Sequence, residues 1–248
     1  MQSGRFLGER LIVTAFKPTD YQLDVLKGIA LVAMCLDHLN TALGWQSVEL
    51  WMIGRMAFPL FSLVWGYNVA RRPVSQASLN RLWLWAIVAQ PAYWWALKGQ
   101  GVTFFDLNIL FAFVVSGQLI RAWQVRREWA VLSALAGLAV YLPLSSMSYG
   151  LAGIVMLLVS VSLFHFKQPE RQWMMRGLWM VSVLALNLSV GLIYALAGLL
   201  LSVMVLPVIM QTKTIQVDRF LPRYFFTLAY VGHLLVVGGV VWLMNISS

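Results

Sequence analysis

The sequence predicts an all-α protein, a polytopic bundle of about nine membrane-spanning helices, on three observations. The 248 residues are 60% hydrophobic and only 11% charged, whereas soluble domains contain about 25% charged residues. Mean hydropathy is +0.77, and several apolar runs approach the length that crosses a bilayer, about 20 residues. Tryptophan and tyrosine cluster near the ends of these runs, as they do in the aromatic belts of membrane proteins.

Nine apolar segments, separated by charged or turn-rich breaks, are the predicted spans. Residues 1–23 form a predicted cytoplasmic lead-in, amphipathic or disordered, whose apolar piece LIVTAF is too short for the core of a signal peptide. Residues 24–248 are predicted to form a single transmembrane domain. The predicted spans are residues 24–44, 50–70, 81–97, 103–121, 129–145, 148–166, 174–188, 191–210 and 223–244.

The seventh and eighth spans could instead be one long helix over residues 177–210. Such a helix would be about 50 Å long, which is too long for one bilayer. It would also place Arg176 and Lys213 on opposite sides of the membrane. A hairpin that turns at Asn187–Gly191 places both on the same side, so two spans are predicted here.

With this hairpin, the basic residues outside the spans sort almost entirely to one side of the membrane. Only Lys98 falls in a loop on the other side. The positive-inside rule then predicts a cytoplasmic amino terminus and a carboxyl terminus outside. Because topology accounts for the net charge of +9, nucleic acid is not an expected partner. The residues on the cytoplasmic side are Arg5, Arg10, Lys17, Arg71, Arg72, Arg81, Arg121, Arg126, Arg127, Lys167, Arg171, Arg176, Lys213, Arg219 and Arg223.

The first span contains polar groups that hydrocarbon makes costly, in the stretch KGIALVAMCLDHLN. Lys27 and His38 are eleven residues apart, so on a helix they lie within about 20° of one face and roughly 16 Å apart along the axis. This spacing predicts a tunnel with a cation at its cytoplasmic mouth and an ionisable pair, Asp37 and His38, further in. In the alternative interpretation, Lys27 merely extends to the headgroups.

Arg55 in the second span is predicted to lie near the depth of Asp37 and His38. An ion pair between Arg55 and Asp37 would make both charges tolerable in a membrane, and it could be purely structural. An ion pair of this kind does not need an imidazole beside it. A histidine next to a carboxylate, with no nucleophile elbow in the sequence, is suited to general-base catalysis.

A possible secondary site is predicted from polar residues of later spans. Asp106 and Asn108 enter the fourth span from the outer side, where Asp106 could instead cap the helix. Tyr230 and His233 lie one turn apart in the last span, although a lone histidine there is usually a packing residue. No metal site is expected, because only two histidines could converge and no HxxxH or ExxH spacing occurs.

Several blocks resemble the TraX family of polytopic membrane proteins: LDVLKGIALVAMCLDHLN, IGRMAFPLFSLVWGYNVAR, NRLWLW, LNILFAF and RYFF…YVGHLL. They cover roughly residues 23–118 and 222–244. That family in turn resembles a wider group of membrane acyltransferases with Arg-x10-His on the first helix. Here Lys27 and His38 have that spacing, with lysine in place of arginine, and YVGH stands where Tyr-Pro-x-His is usual.

The resemblance implies a protein of the bacterial inner membrane that acetylates the amino-terminal residue of a conjugative pilus subunit, pilin. Acetyl-CoA is the implied donor, contacted by Lys27, and His38, Asp37 and Arg55 are the implied catalytic residues. The expected partners are pilin and the lipid bilayer. Two other classes stay open: a proton-coupled transporter, although no internal repeat is found, and a non-catalytic partner in pilus assembly, which would explain the ion pair but not the Lys27–His38 stripe.

Overall fold

A computed structural model of the chain describes residues 18–214, 221–222 and 224–246. Within these residues the regular structure is entirely helical, which confirms the predicted all-α class. Of the lead-in predicted for residues 1–23, residues 1–17 lie outside the described residues. The α-helices are α1 Asp20–Ala42, α2 Val48–Gly54, α3 Ala57–Ala70, α4 Gln76–Leu97, α5 Ile109–Val125, α6 Glu128–Tyr141, α7 Gly150–His165, α8 Pro169–Leu188, α9 Leu192–Met210 and α10 Phe225–Ile246.

Helix α1 begins at Asp20, four residues before the predicted span, because its first turn is capped. The Thr19 side chain accepts a hydrogen bond from the Gln22 backbone, and the Gln22 side chain accepts one from the Thr19 backbone. This reciprocal arrangement is a capping box. The Gln22 amide also donates to the carbonyl of Ile209 at 3.0 Å, which fixes the start of α1 against the end of α9.

The second predicted span is broken into α2 and α3 at Arg55 and Met56. Pro59 lies in the first turn of α3, and proline has no N–H to donate to the carbonyl four residues earlier, that of Arg55. Gly54, the last residue of α2, packs directly against the side chain of Asp37. The break therefore places Arg55 beside α1 at a point where the backbones of the two helices are close together.

The predicted hairpin after Asn187 is present, since α8 ends at Leu188 and α9 begins at Leu192. Gly191 in the turn has a φ of +140°, a conformation that residues with a side chain rarely adopt. Helices α8 and α9 pack against each other. The alternative of one continuous helix is therefore excluded.

Two helix pairs approach closely through small residues, as is common in membrane bundles. On α3 and α7, Ser160 donates to Ser62 at 3.0 Å, and a Cβ on Gly66 would meet the Ser160 backbone at 2.6 Å. On α10, a Cβ on Gly238 would lie 2.7 Å from the Trp95 ring of α4. The second contact holds α10 against α4 and thereby positions the polar residues of α10.

Among the residues that the structure describes, four helical segments are long and apolar enough to cross a membrane: Asp20–Ala42, Val48–Ala70, Leu192–Met210 and Phe225–Met244. Three shorter apolar helices accompany them. Large apolar side chains also face outward on other helices, as on α4, where Leu84 and Ile87 are each 59% exposed. The chain is thus a helical membrane protein, while the count of nine spans and the orientation of the termini stay predictions.

Candidate functional site

The predicted ion pair between Asp37 and Arg55 is present. Nη2 of Arg55 donates to Oδ1 of Asp37 at 2.6 Å, and Nε of Arg55 donates to the carbonyl of Trp51 at 3.3 Å. Both charged side chains are largely buried, with 17% of Asp37 and 15% of Arg55 exposed. The second bond anchors the guanidinium to the last turn of α2, so the pair fixes α2 against α1.

His38, the next residue on α1, contacts His233 of α10. The distance from Nδ1 of His38 to Nε2 of His233 is 2.8 Å, and the two ring planes differ by 18°. Nδ1 of His233 lies 3.2 Å from the carbonyl oxygen of Ala229. Tyr230 is buried beside this pair, with its ring centroid 5.4 Å from that of His233. The main predicted site and part of the secondary site are therefore one cluster.

Lys27 lies near the beginning of α1 and forms an ion pair within that helix. Its Nζ is 2.9 Å from Oδ1 of Asp24, whose side chain is fully buried. The other oxygen of Asp24 accepts a hydrogen bond from the Leu221 backbone at 3.1 Å. Nζ of Lys27 also lies 5.0 Å from the centroid of the Phe226 ring, within the range of a cation–π contact. The Lys27 side chain is therefore held in place by an ion pair with Asp24 and a cation–π contact with Phe226.

A cavity of about 860 Å³ lies along α1. Its lining includes Lys27 in the second turn of α1 and Thr41 in the last turn, which are roughly 21 Å apart along the helix axis. Between them, Leu31 and Met34 line the cavity, and His38 faces it near the Thr41 end. Lys27 and His38 thus line one cavity, as their spacing predicts.

The other predicted residues of the secondary site, Asp106 and Asn108, lie in the connection between α4 and α5. The alternative role of Asp106 as a helix cap is excluded, because α5 begins at Ile109 and Asn108 is its N-cap. The Asn108 amide also donates to the side chain of Gln90 at 2.8 Å, and the whole Asn108 residue is buried. Helix α5 therefore begins at Ile109, six residues after the start of the span predicted from residue 103.

Asp106 instead ties together two loops at the surface. Its carboxylate accepts hydrogen bonds from the backbone and hydroxyl of Thr103 and from the hydroxyl of Ser146. The hydrogen bonds from Thr103 hold the pKa of Asp106 below its usual value. Neither Asp106 nor Asn108 is among the residues that line the cavity, so the structure separates these two from the cluster around His38.

Three polar residues that take part in these contacts were not predicted from the sequence. Asp24 forms an ion pair with Lys27. The three-residue spacing between them was the available signal, because residues three apart on a helix lie on the same face. Tyr149 lines the cavity with a φ of +67° and stacks on Phe58, with ring centroids 4.9 Å apart. Gln90 holds Asn108. In the sequence, neither Tyr149 nor Gln90 carries a local signal for these contacts, because their partners lie far away along the chain or depend on tertiary packing.

The described residues contain no group of three or more histidine, cysteine, aspartate or glutamate side chains that could hold a metal ion. The two contacting histidines are joined to each other by a hydrogen bond instead. The ionisable groups in and beside the cavity include the two ion pairs and the histidine pair.

The helices and this cavity define the class: a helical membrane protein with ionisable groups buried inside the bundle. Residues 22–241 match the family model described as "TraX protein", and the chain belongs to the TraX family, as the sequence blocks predict.

Curated relatives agree with this assignment. The chain is 37% identical over 218 residues to Protein TraX of Escherichia coli, an alignment that covers 88% of this chain and 86% of the relative. Protein TraX of Escherichia coli strain K12 gives the same identity and coverage. A probable fimbrial assembly protein FimC, serogroup H1, of Dichelobacter nodosus is 31% identical over 170 residues, covering 62% of this chain and 65% of the relative. No solved structure matches the chain.

Proposed function

We propose that this chain is an N-acetyltransferase of the bacterial inner membrane that acetylates the amino-terminal residue of a pilus subunit, with acetyl-CoA as the donor. Membership of the TraX family and a relative named as a probable fimbrial assembly protein support a role connected with pili. The 11-residue spacing of Lys27 and His38, which resembles Arg-x10-His of membrane acyltransferases, supports the type of reaction.

The observation that carries the proposal is the single cavity that contains Lys27 near one end of α1 and His38 near the other. A donor with an anionic head and an acyl group at the end of a flexible arm needs a cation and a reaction centre that are separated along a channel. A volume of about 860 Å³ falls in the range of sites for small-molecule ligands and cofactors, about 300–1,000 Å³. Its mainly apolar middle suits an uncharged arm.

At the donor end, Lys27 would contact a phosphate group. An ammonium has three N–H donors, and the bond to Asp24 uses one of them. The remaining donors are available to an anion, while the bond to Asp24 and the Phe226 ring hold the side chain in place. The neighbouring carboxylate also lowers the net charge at this end, which favours a moderate affinity that allows product release.

At the other end, His38 would accept a proton from the incoming amine. The amine nitrogen forms a bond to the thioester carbonyl carbon, the imidazole takes the amine proton, and the carbon–sulfur bond breaks. The proton then passes from the imidazole to the leaving thiolate. Arg55 has five N–H donors, of which the described contacts use two, so others can stabilise the oxyanion that develops on the carbonyl oxygen.

The proposal is tested by mass spectrometry of mature pilin from cells that contain this chain, lack it, or carry a His38→Ala variant. We expect an acetylated amino terminus only in the first case, with the variant inserted at normal abundance. Pilin that is unmodified in all three strains would exclude the proposal. If pilus assembly were then lost in the cells without the chain, a non-catalytic assembly partner would be the better interpretation.

A further inference from the structure

The hydrogen bond between His38 and His233 determines where the protons on these two rings must lie. His38 Nδ1 is 2.8 Å from His233 Nε2, and a bond between two imidazole nitrogens needs one donor and one acceptor. The second nitrogen of His233, Nδ1, is 3.2 Å from the backbone carbonyl oxygen of Ala229. A carbonyl oxygen only accepts hydrogen bonds.

The carbonyl of Ala229 therefore places the proton of His233 on Nδ1. A neutral imidazole carries one N–H, so Nε2 of His233 is an acceptor. The proton shared by the two rings then belongs to Nδ1 of His38. It follows that Nε2 of His38 has no proton and presents its lone pair.

A second proton on His233 would reverse this order, but it would add a positive charge to the interior of the bundle. The cavity beside the pair already contains the cations Lys27 and Arg55, and burying an additional unpaired charge is costly. The neutral arrangement is therefore favoured, with each N–H directed at an acceptor.

The two histidines also differ in their access to the cavity. His38 is part of the lining, whereas His233 lies behind it and is not one of the lining residues. Tyr230, one turn before His233, lines the cavity and packs against the His233 ring. His38 can contact a substrate, and His233 acts on the substrate only through His38.

We propose that His233 is a positioning residue that fixes the tautomer of His38, so that Nε2 of His38 is the basic atom in the cavity. The proposal rests on the function proposed above, since it identifies the atom that would accept the proton of the amine. When Nε2 takes that proton, the ring becomes positively charged, and its Nδ1–H bond to His233 becomes charge-assisted and stronger. The bond thus favours the protonated state of His38 as the reaction proceeds.

The proposal is tested first by nitrogen NMR of the full chain labelled with ¹⁵N-histidine, in detergent micelles or nanodiscs at neutral pH. The sequence has three histidines, so single His165→Gln, His38→Asn and His233→Gln variants assign all the signals. We expect a pyrrole-type Nδ1 and a pyridine-type Nε2 for His38, and scalar coupling from His38 Nδ1 to His233 Nε2 across the hydrogen bond. A protonated Nε2 on His38, or the absence of coupling, would overturn the proposal.

A kinetic comparison then separates positioning from packing. The side-chain oxygen of glutamine can occupy the place of Nε2 and accept the bond from His38, whereas leucine fills the space without an acceptor. We expect His233→Leu to lower kcat by about 10²-fold with an unchanged KM for acetyl-CoA, and His233→Gln to stay within about tenfold of the parent. Equal losses in both variants, or equal activity, would show that His233 only packs.

The two tests also distinguish the failure of this proposal from the failure of the proposed function. The NMR result does not depend on any reaction, so it holds even if His233→Leu does not fold. If the parent protein acetylated no pilin but showed the expected tautomer, the function would be wrong and the proton arrangement right. If the parent protein acetylated pilin but showed the other tautomer, the function would be right and the proton arrangement wrong.

Discussion

The two ends of α1 hold their charges in different ways. Lys27 pairs with Asp24, which precedes it by one turn on the same helix. Asp37 pairs instead with Arg55 at the end of α2, and His38 bonds to His233, which is 195 residues away in the sequence. The first pair forms wherever α1 is helical, whereas the second set exists only when three helices have packed.

This difference separates a binding role from a structural one. At the Lys27 end, Asp24 contacts the Lys27 ammonium and also accepts a hydrogen bond from the backbone N–H of Leu221. At the His38 end, the ion pair joins α1 to α2, and the Asp37 side chain occupies the space that a Cβ on Gly54 would need. Changes at the His38 end should therefore affect folding and turnover, and changes at the Lys27 end should affect donor affinity.

The largest effect is expected from breaking the ion pair between Asp37 and Arg55. Arg55→Gln or Asp37→Asn leaves one buried charge without its partner, which costs about 3–5 kcal/mol, so each should sharply lower membrane abundance and the melting temperature in detergent. The double variant should recover part of both losses. The control is Lys98→Gln, in a surface turn. Additive losses in the double variant would contradict the coupling of the two residues.

A smaller free-energy effect, but a specific one, is expected from His38→Gln. Glutamine can form hydrogen bonds but cannot accept the proton at neutral pH, so turnover should fall by about 10²-fold, or about 2.7 kcal/mol of activation free energy. Abundance should be normal, because no ion pair is broken. His165→Gln is the matched control, since the His165 ring packs against Trp123 away from the cavity. A fully active His38→Gln variant would show that imidazole basicity is irrelevant.

The packing of α10 can be tested with two adjacent glycines. A methyl group at Gly238 would meet the Trp95 ring, whereas one at Gly239 has nothing within 4 Å. Overpacking costs about 1–3 kcal/mol, so Gly238→Ala should lower the melting temperature and weaken the NMR coupling between His38 and His233. Gly239→Ala should be neutral or slightly stabilising, because alanine favours helix. Identical behaviour of the two variants would show that the α4–α10 contact does not position His233.

The smallest effect is expected at the other end of α1. The double variant Asp24→Asn/Lys27→Met removes both charges of the pair, so no buried carboxylate is left without its partner. The KM for acetyl-CoA should rise by roughly tenfold, about 1.4 kcal/mol of binding free energy, while kcat is largely retained. Lys98→Met, which removes an ammonium near the Trp94 ring, is the matched control. A large fall in kcat with an unchanged KM would contradict the proposal that the Lys27 end of α1 binds the donor and the His38 end carries out the reaction.

Most of the helices could be predicted from the sequence, because apolar runs and charged breaks are local properties. The turn after Asn187 was predicted from charge placement, and Gly191 there has the backbone conformation that such a turn needs. The break at Arg55 was not predicted, although Pro59 was a local signal for it. The alternative in which Asp106 caps the helix is excluded, since Asn108 is the N-cap and has a buried partner in Gln90.

The candidate site was predictable only in part. The Lys27–His38 stripe follows from helical periodicity, and the pairing of Asp37 with Arg55 follows from the cost of isolated charges in a membrane. The contact between His38 and His233 depends on how α10 packs against α1 and α4, and nothing in a single sequence records the packing of helices so far apart along the chain.

The cavity along α1 has a further consequence for the cell that contains the protein. An opening that extends over most of a membrane-spanning helix is a potential leak of protons and ions, and such a leak would dissipate the energy stored across the bilayer. Met34, Phe58 and Phe61 line the cavity, and apolar constrictions exclude ions by expelling water. We expect these three apolar side chains to hinder the passage of water and ions along the cavity.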